Sequence, residues 1–449
     1  MRHAYLAYAS EDSAVAEALG AALDKRDVAT ASDEDRERVG HTLSQIAREA
    51  IDRAYGLIVL ISEHSADDSE VRNELDYALT IGAPVIPVRL DDAELDVWWY
   101  ERLFNQVVLD ATEYGGASEQ TAAVIASALS RFNDAAGCPV IALMNMKGGV
   151  GKTTVASQVF AAFQKARGNK VLLIDLDPQH NLSQLFFRRS TQDTLVYMDA
   201  SVISLFEPSS LQDQPSPAEN WHIVNTVDFE PPKFEEVARR LIPEDKSGGG
   251  RFDLICGQFD IAKYAFLENR AWTDRARGNF VRSINALRKT YDLIVIDTNP
   301  SASFLTTAVL DVATRVLAPV RADRFSIRGV RLMNDLTTRL LKTPGRPPVS
   351  ILFNGVERAT ESDIETALRG GQLDPQIGFA ASRGVLKGRL HNSRFLAVRE
   401  EGMEDDPLTH LAIYRASGLW GAPLKEALTS IANELSEVLQ LTERKKGKR

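Results

Sequence analysis

The amino-acid sequence predicts two α/β domains in series, each built on a parallel sheet. Short apolar runs alternate with helical segments along the chain, and a glycine-rich loop near the middle stands between an apolar run and a helical pattern. At 449 residues the chain exceeds the usual size of one hydrophobic core. A boundary is expected within residues 131–140, "RFNDAAGCPV", where a helical pattern ends and a new apolar run begins. We therefore assign one domain to residues 1–134 and a second to residues 138–449.

Composition and charge limit the classes of function. Hydrophobic residues make up 44% and charged residues 25% of the chain, as in ordinary globular domains. The sequence lacks an apolar run of membrane-spanning length and a signal-peptide core, which predicts a cytoplasmic protein without a membrane partner. Two cysteines, Cys138 and Cys256, are too few for a disulfide framework or a cysteine metal site. Residues 1–136 carry 26 acidic and 11 basic residues, against 36 and 41 in the remainder, so a nucleic-acid surface is expected only in the second domain.

The first domain shows the alternation of elements most clearly. Its apolar runs are "AYLAYA", "GLIVLI", "APVIPVRL" and "NQVVL", and its helical segments include "SAVAEALGAALDKR" and "SEVRNELDYALTIG". This alternation predicts a five-strand parallel sheet with helices on both faces.

The order of these pieces resembles a Toll/interleukin-1 receptor (TIR) domain, which implies a flavodoxin-like fold. The resemblance is carried by "AYLAYASED", by the polar loop and helix "ATASDEDRERVGHTLSQIAREAID", and by "LIVLISEHSADDSEVRNELDYA". In the last segment Ser69 and Glu74 fall in place, whereas Val71 stands where tryptophan is common in the family. That departure weakens the expectation of one substrate-stacking wall. The resemblance covers nearly all of residues 1–132.

Many bacterial TIR domains that this one resembles cleave NAD⁺ to nicotinamide and ADP-ribose, with the helix glutamate as the essential residue. The resemblance therefore implies that Glu74 is catalytic. It also implies an NAD⁺ site made of Tyr8, Ser10, Asp12, Ser32, Asp33, Ser69 and Glu74. One carboxylate is chemically sufficient, because nicotinamide leaves as a neutral molecule and needs no proton donor, unlike the alkoxide of ordinary glycosidases. Two alternatives stay open: Glu74 decorates the surface of an amphipathic helix, or the domain only binds other TIR domains.

The second domain centres on the loop "NMKGGVGKTT", residues 145–154. The apolar run "PVIALMN" precedes it and the helical pattern "TTVASQVFAAFQKARG" follows it, which is the context of a phosphate-binding loop. The residues expected to bind ATP are Lys147, Gly148, Gly149, Val150, Gly151, Lys152, Thr153 and Thr154. In such a loop the backbone N–H groups face an anion, Lys152 reaches the β- and γ-phosphates, and the Thr153 hydroxyl faces Mg²⁺.

The loop departs from the strict P-loop pattern, because Met146 stands where that pattern requires glycine. Its order K-G-G-x-G-K-T-T resembles the deviant Walker A loop of the ParA, MinD and nitrogenase iron-protein ATPases. In that family the early lysine, here Lys147, reaches across a dimer interface to the phosphates of the partner's nucleotide. The resemblance therefore implies a catalytic role for Lys147 and a homodimer that forms on ATP binding.

Acidic residues follow two further apolar runs of the second domain. "KVLLIDLDPQ" (170–179) delivers Asp175 and Asp177, and "YDLIVIDTNPS" (291–301) delivers Asp297. Carboxylates at strand ends beside a phosphate loop are where nucleotide chemistry occurs in open parallel sheets. The family resemblance implies that Asp177 positions or activates the attacking water. It also implies a magnesium site made of Thr153, Asp175 and Asp297.

Two weaker signals come from the C-terminal part. Asn354 follows the apolar run "VSILF" and resembles a base-contacting asparagine, although an asparagine that caps a turn is the alternative. ParA relatives bind DNA non-specifically as ATP dimers, through basic residues in this part of the chain. The corresponding segment here, "SRGVLKGRLHNSRF", supplies Arg383, Lys387, Arg389 and Arg394. A solvated basic face is the alternative to nucleic-acid contact.

Together the two resemblances imply a TIR effector fused to an ATP-driven switch. Dimerisation of the second domain would bring TIR domains into a higher-order assembly, and NAD⁺ depletion fits bacterial anti-phage defence. The expected cofactors are ATP and Mg²⁺, with NAD⁺ as the substrate. The alternative is a partition-type ATPase that positions DNA or protein cargo, with the first domain as an interaction module.

Overall fold

The structure is a computed structural model. The residues that it describes are 3–32, 43–103, 106–114, 116, 119–134, 138–208, 229–267, 269–321, 323, 325–326, 328–330, 332–333, 335, 345, 347–357, 384–396, 407–439 and 441. The chain divides into two compact units, of which the first includes Met1–Ala136 and the second includes Gly137–Met333 and Leu386–Arg449. Each unit has a sheet of its own.

The first unit alternates strands and helices. Its strands are β1 (Ala4–Ala7), β2 (Thr30–Ala31), β3 (Gly56–Ile61), β4 (Val85–Arg89) and β5 (Leu109–Asp110). Its helices are α1 (Ser13–Asp24), α2 (Gln45–Arg53), α3 (Ser69–Ile81), α4 (Val97–Leu103) and α5 (Glu119–Asp134), with 3₁₀ turns at Ser10–Asp12 and Ala111–Tyr114. The strand order is β2-β1-β3-β4-β5 and every pairing is parallel. This is the flavodoxin-like order, so the predicted five-strand parallel sheet is confirmed.

Helix α3 of the first unit has a defined start and end. The carboxylate of its N-cap, Asp68, accepts hydrogen bonds from the backbone N–H groups of Glu70 and Val71, and the helix ends at Gly82 with a left-handed φ of 70°. Helices α2, α3 and α4 pack on one face of the sheet, where Val71 is fully buried. Helices α1 and α5 cover the other face. The start of α3 is therefore fixed beside the loop that leaves β3.

The second unit carries the larger sheet. Its strands are β6 (Val140–Leu143), β7 (Lys170–Leu176), β8 (Ala238–Arg240), β9 (Arg251–Ile255), β10 (Leu293–Thr298), β11 (Arg315–Val320), β12 (Val349–Val356) and β13 (Val385–His391). Its first helical segment runs from α6 (Lys152–Thr154) through a π turn (Val155–Val159) into α7 (Phe160–Arg167). The later helices are α8 (Asn181–Phe186), α9 (Arg189–Tyr197), α10 (Phe234–Val237), α11 (Arg270–Arg288), α12 (Phe304–Val312), α13 (Ala412–Arg415) and α14 (Gly418–Val438). 3₁₀ turns lie at Val202–Leu205, Glu244–Lys246, Phe259–Ala265 and Pro407–His410.

The strand order of the second unit positions its candidate site. It is β13-β12-β11-β6-β10-β7-β9-β8, with β6 parallel to both β10 and β11, β7 parallel to β10 and β9, and β8 antiparallel to β9. Asp297 of β10 is the register partner of Leu143 on β6 and of Asp175 on β7. Because the chain leaves β6 between two parallel neighbours, its loop opens at a topological switch point, where ligands bind in open α/β sheets. The predicted doubly wound P-loop domain is confirmed.

Helix α14 packs along α7, and the core there includes Phe160, Phe163, Leu428 and Ile431. Among the helices that the structure describes, we find none whose length and apolar character would suit a membrane span.

Candidate nucleotide-binding sites

The loop after β6 adopts a backbone that requires glycine. Gly149 and Gly151 have φ angles of 72° and 88°, a left-handed conformation that other residues rarely adopt. A side chain at Gly151 would also place its Cβ 2.0 Å from the amide nitrogen of Asn354. Gly148 and Gly149 are exposed, whereas Val150 is buried. The helical segment starts at Lys152, directly after this turn, so its first backbone N–H groups stand beside the loop, as in phosphate-binding sites.

Lys152 and Thr153 lie against the carboxylate of β10. Lys152 is only 8% exposed. Burial lowers the pKa of its ammonium, and the charges of Asp297 and Asp177 act against that shift. The Thr153 hydroxyl donates a hydrogen bond of 2.7 Å to Asp297 Oδ2. The cation, the hydroxyl and the carboxylate that the sequence predicts for ATP and Mg²⁺ are thus brought together.

Two buried carboxylates stand side by side at the ends of β7 and β10. Burial raises the pKa of Asp297 to about 8 and that of Asp175 to about 7. Asp175 Oδ2 accepts hydrogen bonds from the Ser183 backbone N–H at 2.8 Å and from its hydroxyl at 2.6 Å. Asp297 Oδ1, by contrast, is buried without a hydrogen-bond partner among the described residues. A buried carboxylate oxygen of this kind is a natural position for a cation.

The donor set fits magnesium better than a metal held by protein alone. Across the described part of the chain, no group of three or more His, Cys, Asp and Glu side chains could hold a metal ion. Mg²⁺ typically keeps several waters and binds one or two carboxylates together with substrate phosphates. Asp297 and Thr153 fit that pattern. Asp175 already accepts hydrogen bonds from Ser183. No local sequence pattern predicts this pair, because only the fold brings the first turn of α8 beside the end of β7.

Asp177 lies in the turn that follows β7. It is half-buried, and its Oδ1 accepts a hydrogen bond of 2.9 Å from the Gln179 backbone N–H. His180, the N-cap of α8, has a φ of 42°, which is unusual for a residue other than glycine. Its Nδ1 lies 3.0 Å from Gln192 Oε1. No sequence motif marks His180, and its left-handed backbone is the feature that distinguishes it.

Lys147 is held by its own chain. Its Nζ lies 2.8 and 2.9 Å from the two carboxylate oxygens of Asp323 and 3.3 Å from Ser326 Oγ. Burial acts to raise the pKa of Asp323, but hydrogen bonds from Lys147 and Ser326 outweigh it and lower that pKa. The Lys147 backbone N–H donates to Asn145 Oδ1 at 2.9 Å, and the Asn145 amide donates to the Pro319 carbonyl oxygen. Asp323 and Ser326, which follow β11, therefore bind the first lysine of the phosphate loop. The sequence did not predict this contact.

Asn354 lies on β12 and faces the loop. It is 7% exposed, and its Nδ2 donates a hydrogen bond of 2.7 Å to the Val150 carbonyl oxygen. In this structure Asn354 therefore supports the backbone of the phosphate loop. Its contact with an adenine base stays a prediction.

The four basic residues predicted for nucleic acid do not form one exposed set. Lys387 and Arg394 are exposed, and Arg383 lies outside the described residues. Arg389 is 8% exposed, and its guanidinium carbon lies 4.9 Å from the centre of the Phe353 ring. Its Nη1 donates to the Leu386 carbonyl oxygen. Arg389 is thus a buried packing residue, which corrects its place in the predicted surface.

The segments that follow β1 and β3, which carry Tyr8, Ser10, Asp12 and Ser69, leave neighbouring parallel strands at the switch point of the first sheet. The Ser62 hydroxyl donates to Asp12 Oδ2 at 2.5 Å, and both side chains are buried. Tyr8 Oη lies 3.4 Å from Ser32 Oγ. Of the other residues predicted for this site, Ser10 and Ser69 are exposed, and Asp33 lies outside the described residues.

Glu74 is not a surface residue of α3. It is 3% exposed, and its Oε1 accepts a hydrogen bond of 2.5 Å from the hydroxyl of Tyr5, which is fully buried on β1. Val71, on the same helix, is fully buried in the core of that sheet face. In the sequence, Tyr5 is part of the apolar run of β1, and its hydroxyl is the one polar group that distinguishes it there.

A strand, a glycine loop and a helix, with buried carboxylates at neighbouring strand ends, define the second unit as a P-loop nucleotide-binding domain. The family model described as an AAA domain matches residues 138–345, and the one described as a TIR domain matches residues 5–123. The chain therefore carries a TIR domain followed by a P-loop domain that matches the AAA model.

Two named relatives each match less than half of the chain. The chromosome-partitioning ATPase Soj of Thermus thermophilus is 30% identical over 190 residues, which are 42% of this chain and 57% of that protein. The sporulation initiation inhibitor protein Soj of Bacillus subtilis is 28% identical over 209 residues, 45% of this chain and 66% of its own. The chain thus spans less than two thirds of either relative. The solved structure of pNOB8 ParA has 18% identity and a TM-score of 0.48, covering 68% of this chain and 99% of that one.

Proposed function

We propose that this protein is a TIR effector that cleaves NAD⁺ and is switched by ATP-dependent dimerisation of its ParA-like domain. The observation that carries the catalytic half is the burial of Glu74. A glutamate that merely decorates an amphipathic helix lies in water, whereas this carboxylate is 3% exposed and hydrogen-bonded to a strand of the sheet. A buried carboxylate is costly to maintain without a purpose, and functional sites are where such groups concentrate.

In the ATPase domain, the residues of the loop and the strand ends divide the chemistry. Lys152 and the backbone N–H groups of the loop hold the triphosphate, and Asp177 orients the water that attacks the γ-phosphate. Thr153 and Asp297 would hold Mg²⁺, which would supply positive charge that neutralises the phosphates. Lys147 serves the nucleotide of a second copy of the chain. Hydrolysis then weakens the dimer and resets the switch.

In the TIR domain, Glu74 stabilises the charge that develops on the substrate. The bond between the ribose C1′ and the nicotinamide nitrogen breaks, and its electron pair leaves with the nitrogen as neutral nicotinamide. The ribose carbon becomes positive, and the carboxylate of Glu74 stabilises it electrostatically. Water then adds to C1′ and loses its proton to solvent, which completes ADP-ribose. Depletion of NAD⁺ by this route suits a role in anti-phage defence.

A nicotinamide-release assay tests the proposal. The purified full chain is incubated with NAD⁺, with and without ATP and Mg²⁺, and compared with Glu74→Gln. Glu17→Gln is the matched control, because Glu17 is an exposed glutamate on α1 of the same domain. Release that depends on ATP, persists in the control and is lost in Glu74→Gln supports the proposal. If the wild type releases no nicotinamide in any of these conditions, the effector function is wrong.

One observation favours a second candidate, a partition-type ATPase. Lys387 and Arg394 are exposed near β13, and the relative from Thermus thermophilus is named a chromosome-partitioning ATPase. In this candidate the ATP-bound dimer contacts the phosphate backbone of DNA, and its affinity for DNA falls as the salt concentration rises. Double-stranded DNA binding that requires ATP and is weakened by Lys387→Gln, without nicotinamide release, favours this function over the first.

A further inference from the structure

We infer that Tyr5 is a positioning residue that holds the carboxylate of Glu74 in its working orientation. This inference deepens the proposed NAD⁺ cleavage and rests on it for its effect on catalysis. The Tyr5 hydroxyl donates to Glu74 Oε1 at 2.5 Å across 69 residues of sequence. The two groups lie on different elements, β1 and α3, so the hydrogen bond ties the helix carboxylate to the strand of the sheet.

Both side chains of this hydrogen-bonded pair are shielded from solvent. Tyr5 is fully buried and Glu74 is 3% exposed. Tyr5 belongs to the hydrophobic core of this sheet face, together with Val59, Val71 and Leu75. A buried carboxylate needs donors, and a hydrogen bond to a charged group is stronger than one between neutral groups. The Tyr5 ring is packed in the core of this sheet face, so its hydroxyl fixes the direction from which the carboxylate accepts the hydrogen bond.

The chemical identity of the donor matters for the proposed reaction. A lysine or arginine at this position would place a positive charge beside the carboxylate and offset the field that stabilises the positive ribose carbon. A phenol donates a hydrogen bond without adding a full charge. Tyr5 therefore orients Glu74 and satisfies part of its hydrogen-bonding demand without placing a positive charge beside it.

Tyr5→Phe removes the hydroxyl and keeps the ring that packs in the core. We expect kcat for nicotinamide release to fall on the order of tenfold or more, the range of one hydrogen bond to a charged group. KM for NAD⁺ should change by less than about twofold, since the phenol is buried and orients a carboxylate that acts in the transition state. Tyr55→Phe is the matched control, because the Tyr55 hydroxyl is buried with no hydrogen-bond partner among the described residues. Unchanged kcat in Tyr5→Phe overturns the inference.

A second measurement tests the contact without relying on activity. Thermal unfolding of the full chain is compared for Tyr5→Phe in the wild-type background and in a Glu74→Met background. If the two side chains are coupled, Tyr5→Phe lowers Tm more in the wild type than in Glu74→Met. Equal changes in both backgrounds overturn the inference. Coupling without any nicotinamide release from the wild type supports the contact and shows instead that the proposed NAD⁺ cleavage is wrong.

Discussion

Replacing Asp323 with asparagine tests whether the chain restrains its own Lys147 until two ATP-bound copies meet. Lys147 Nζ lies 2.8 and 2.9 Å from the two carboxylate oxygens of Asp323. For Lys147 to reach the phosphates of a second chain, this ion pair has to break. Asparagine removes the negative charge and keeps the size of the side chain. Its amide oxygen can still accept the hydrogen bond from the Ser326 backbone N–H, so the loop keeps its turn.

The size of the effect follows from the exposure of the pair. The side chains of Lys147 and Asp323 are 33% and 35% exposed, so solvent screens much of their attraction. Exposed ion pairs contribute about 0.2–1 kcal/mol, and this pair, with both carboxylate oxygens in contact, belongs near the upper value. A symmetric dimer breaks two such pairs, at a cost of about 2 kcal/mol. The ATP-dependent dimer of Asp323→Asn should therefore have a dissociation constant roughly 30-fold lower than that of the wild type.

The assay is sedimentation velocity with ATP and Mg²⁺ over a range of protein concentrations. Both proteins carry Asp177→Asn, which is expected to slow hydrolysis so that the dimer persists. Asp311→Asn is the control, because Asp311 forms an ion pair of similar exposure with Arg277 on α11, apart from the phosphate loop. The gain should shrink at high salt, since salt screens the pair that it removes. If Asp323→Asn dimerises no more tightly than the control, Lys147 is not restrained in this way.

Five further substitutions test the nucleotide site. Lys152→Ala should abolish ATP binding in a fluorescent-nucleotide titration, whereas Lys147→Ala should bind ATP but form no dimers; equal loss of binding would contradict this division of roles. Gly151→Ala should also abolish ATP binding, because the φ of Gly151 is 88° and the new Cβ would lie 2.0 Å from the amide nitrogen of Asn354. Gly148→Ala is the control and should bind ATP, because its new Cβ meets no described atom within 4 Å. Similar affinities in the two variants would refute the steric argument. Asp297→Asn should flatten the pH dependence of Tm. Because the native pKa of Asp297, about 8, exceeds the ordinary 3.8, the nucleotide-free wild type binds more protons than its unfolded chain and should lose stability as pH rises from about 4 to about 8. An unchanged slope of Tm against pH in the variant would contradict this prediction.

The strands and the glycine loop could be predicted from the sequence because their causes are local. A buried parallel strand reads as a continuous apolar run, and β3, "GLIVLI", is buried at all six residues. The left-handed backbone at Gly149 and Gly151 requires the residue type that the sequence shows. Local pattern also placed Asp175 and Asp297 at strand ends, and the parallel register then brought them together.

The contacts that the sequence did not reveal depend on strand order. Lys147 and Asp323 are 176 residues apart and meet because β11 is the neighbour of β6. Tyr5 and Glu74 meet because α3 crosses the face of β1. For Arg389 the sequence predicted exposure, but the guanidinium packs over the ring of Phe353 on the neighbouring strand. A run of basic residues does not show which of them will be buried. Local composition fixes the charge of a residue but not its neighbours.

The buried carboxylates of the two candidate sites differ in their hydrogen-bond partners, and this difference indicates which domain gains more stability from its ligand. In the ATPase domain the raised pKa values of Asp175 and Asp297 mean that burial disfavours their ionised forms, and one oxygen of Asp297 has no partner among the described residues. Such a site gains most when a cation arrives. In the TIR domain the carboxylate of Glu74 already accepts a hydrogen bond from Tyr5. The ligand-dependent energy that could drive a switch therefore resides in the ATPase domain, so we expect ATP and Mg²⁺ to raise its Tm, whereas NAD⁺ should produce the smaller shift.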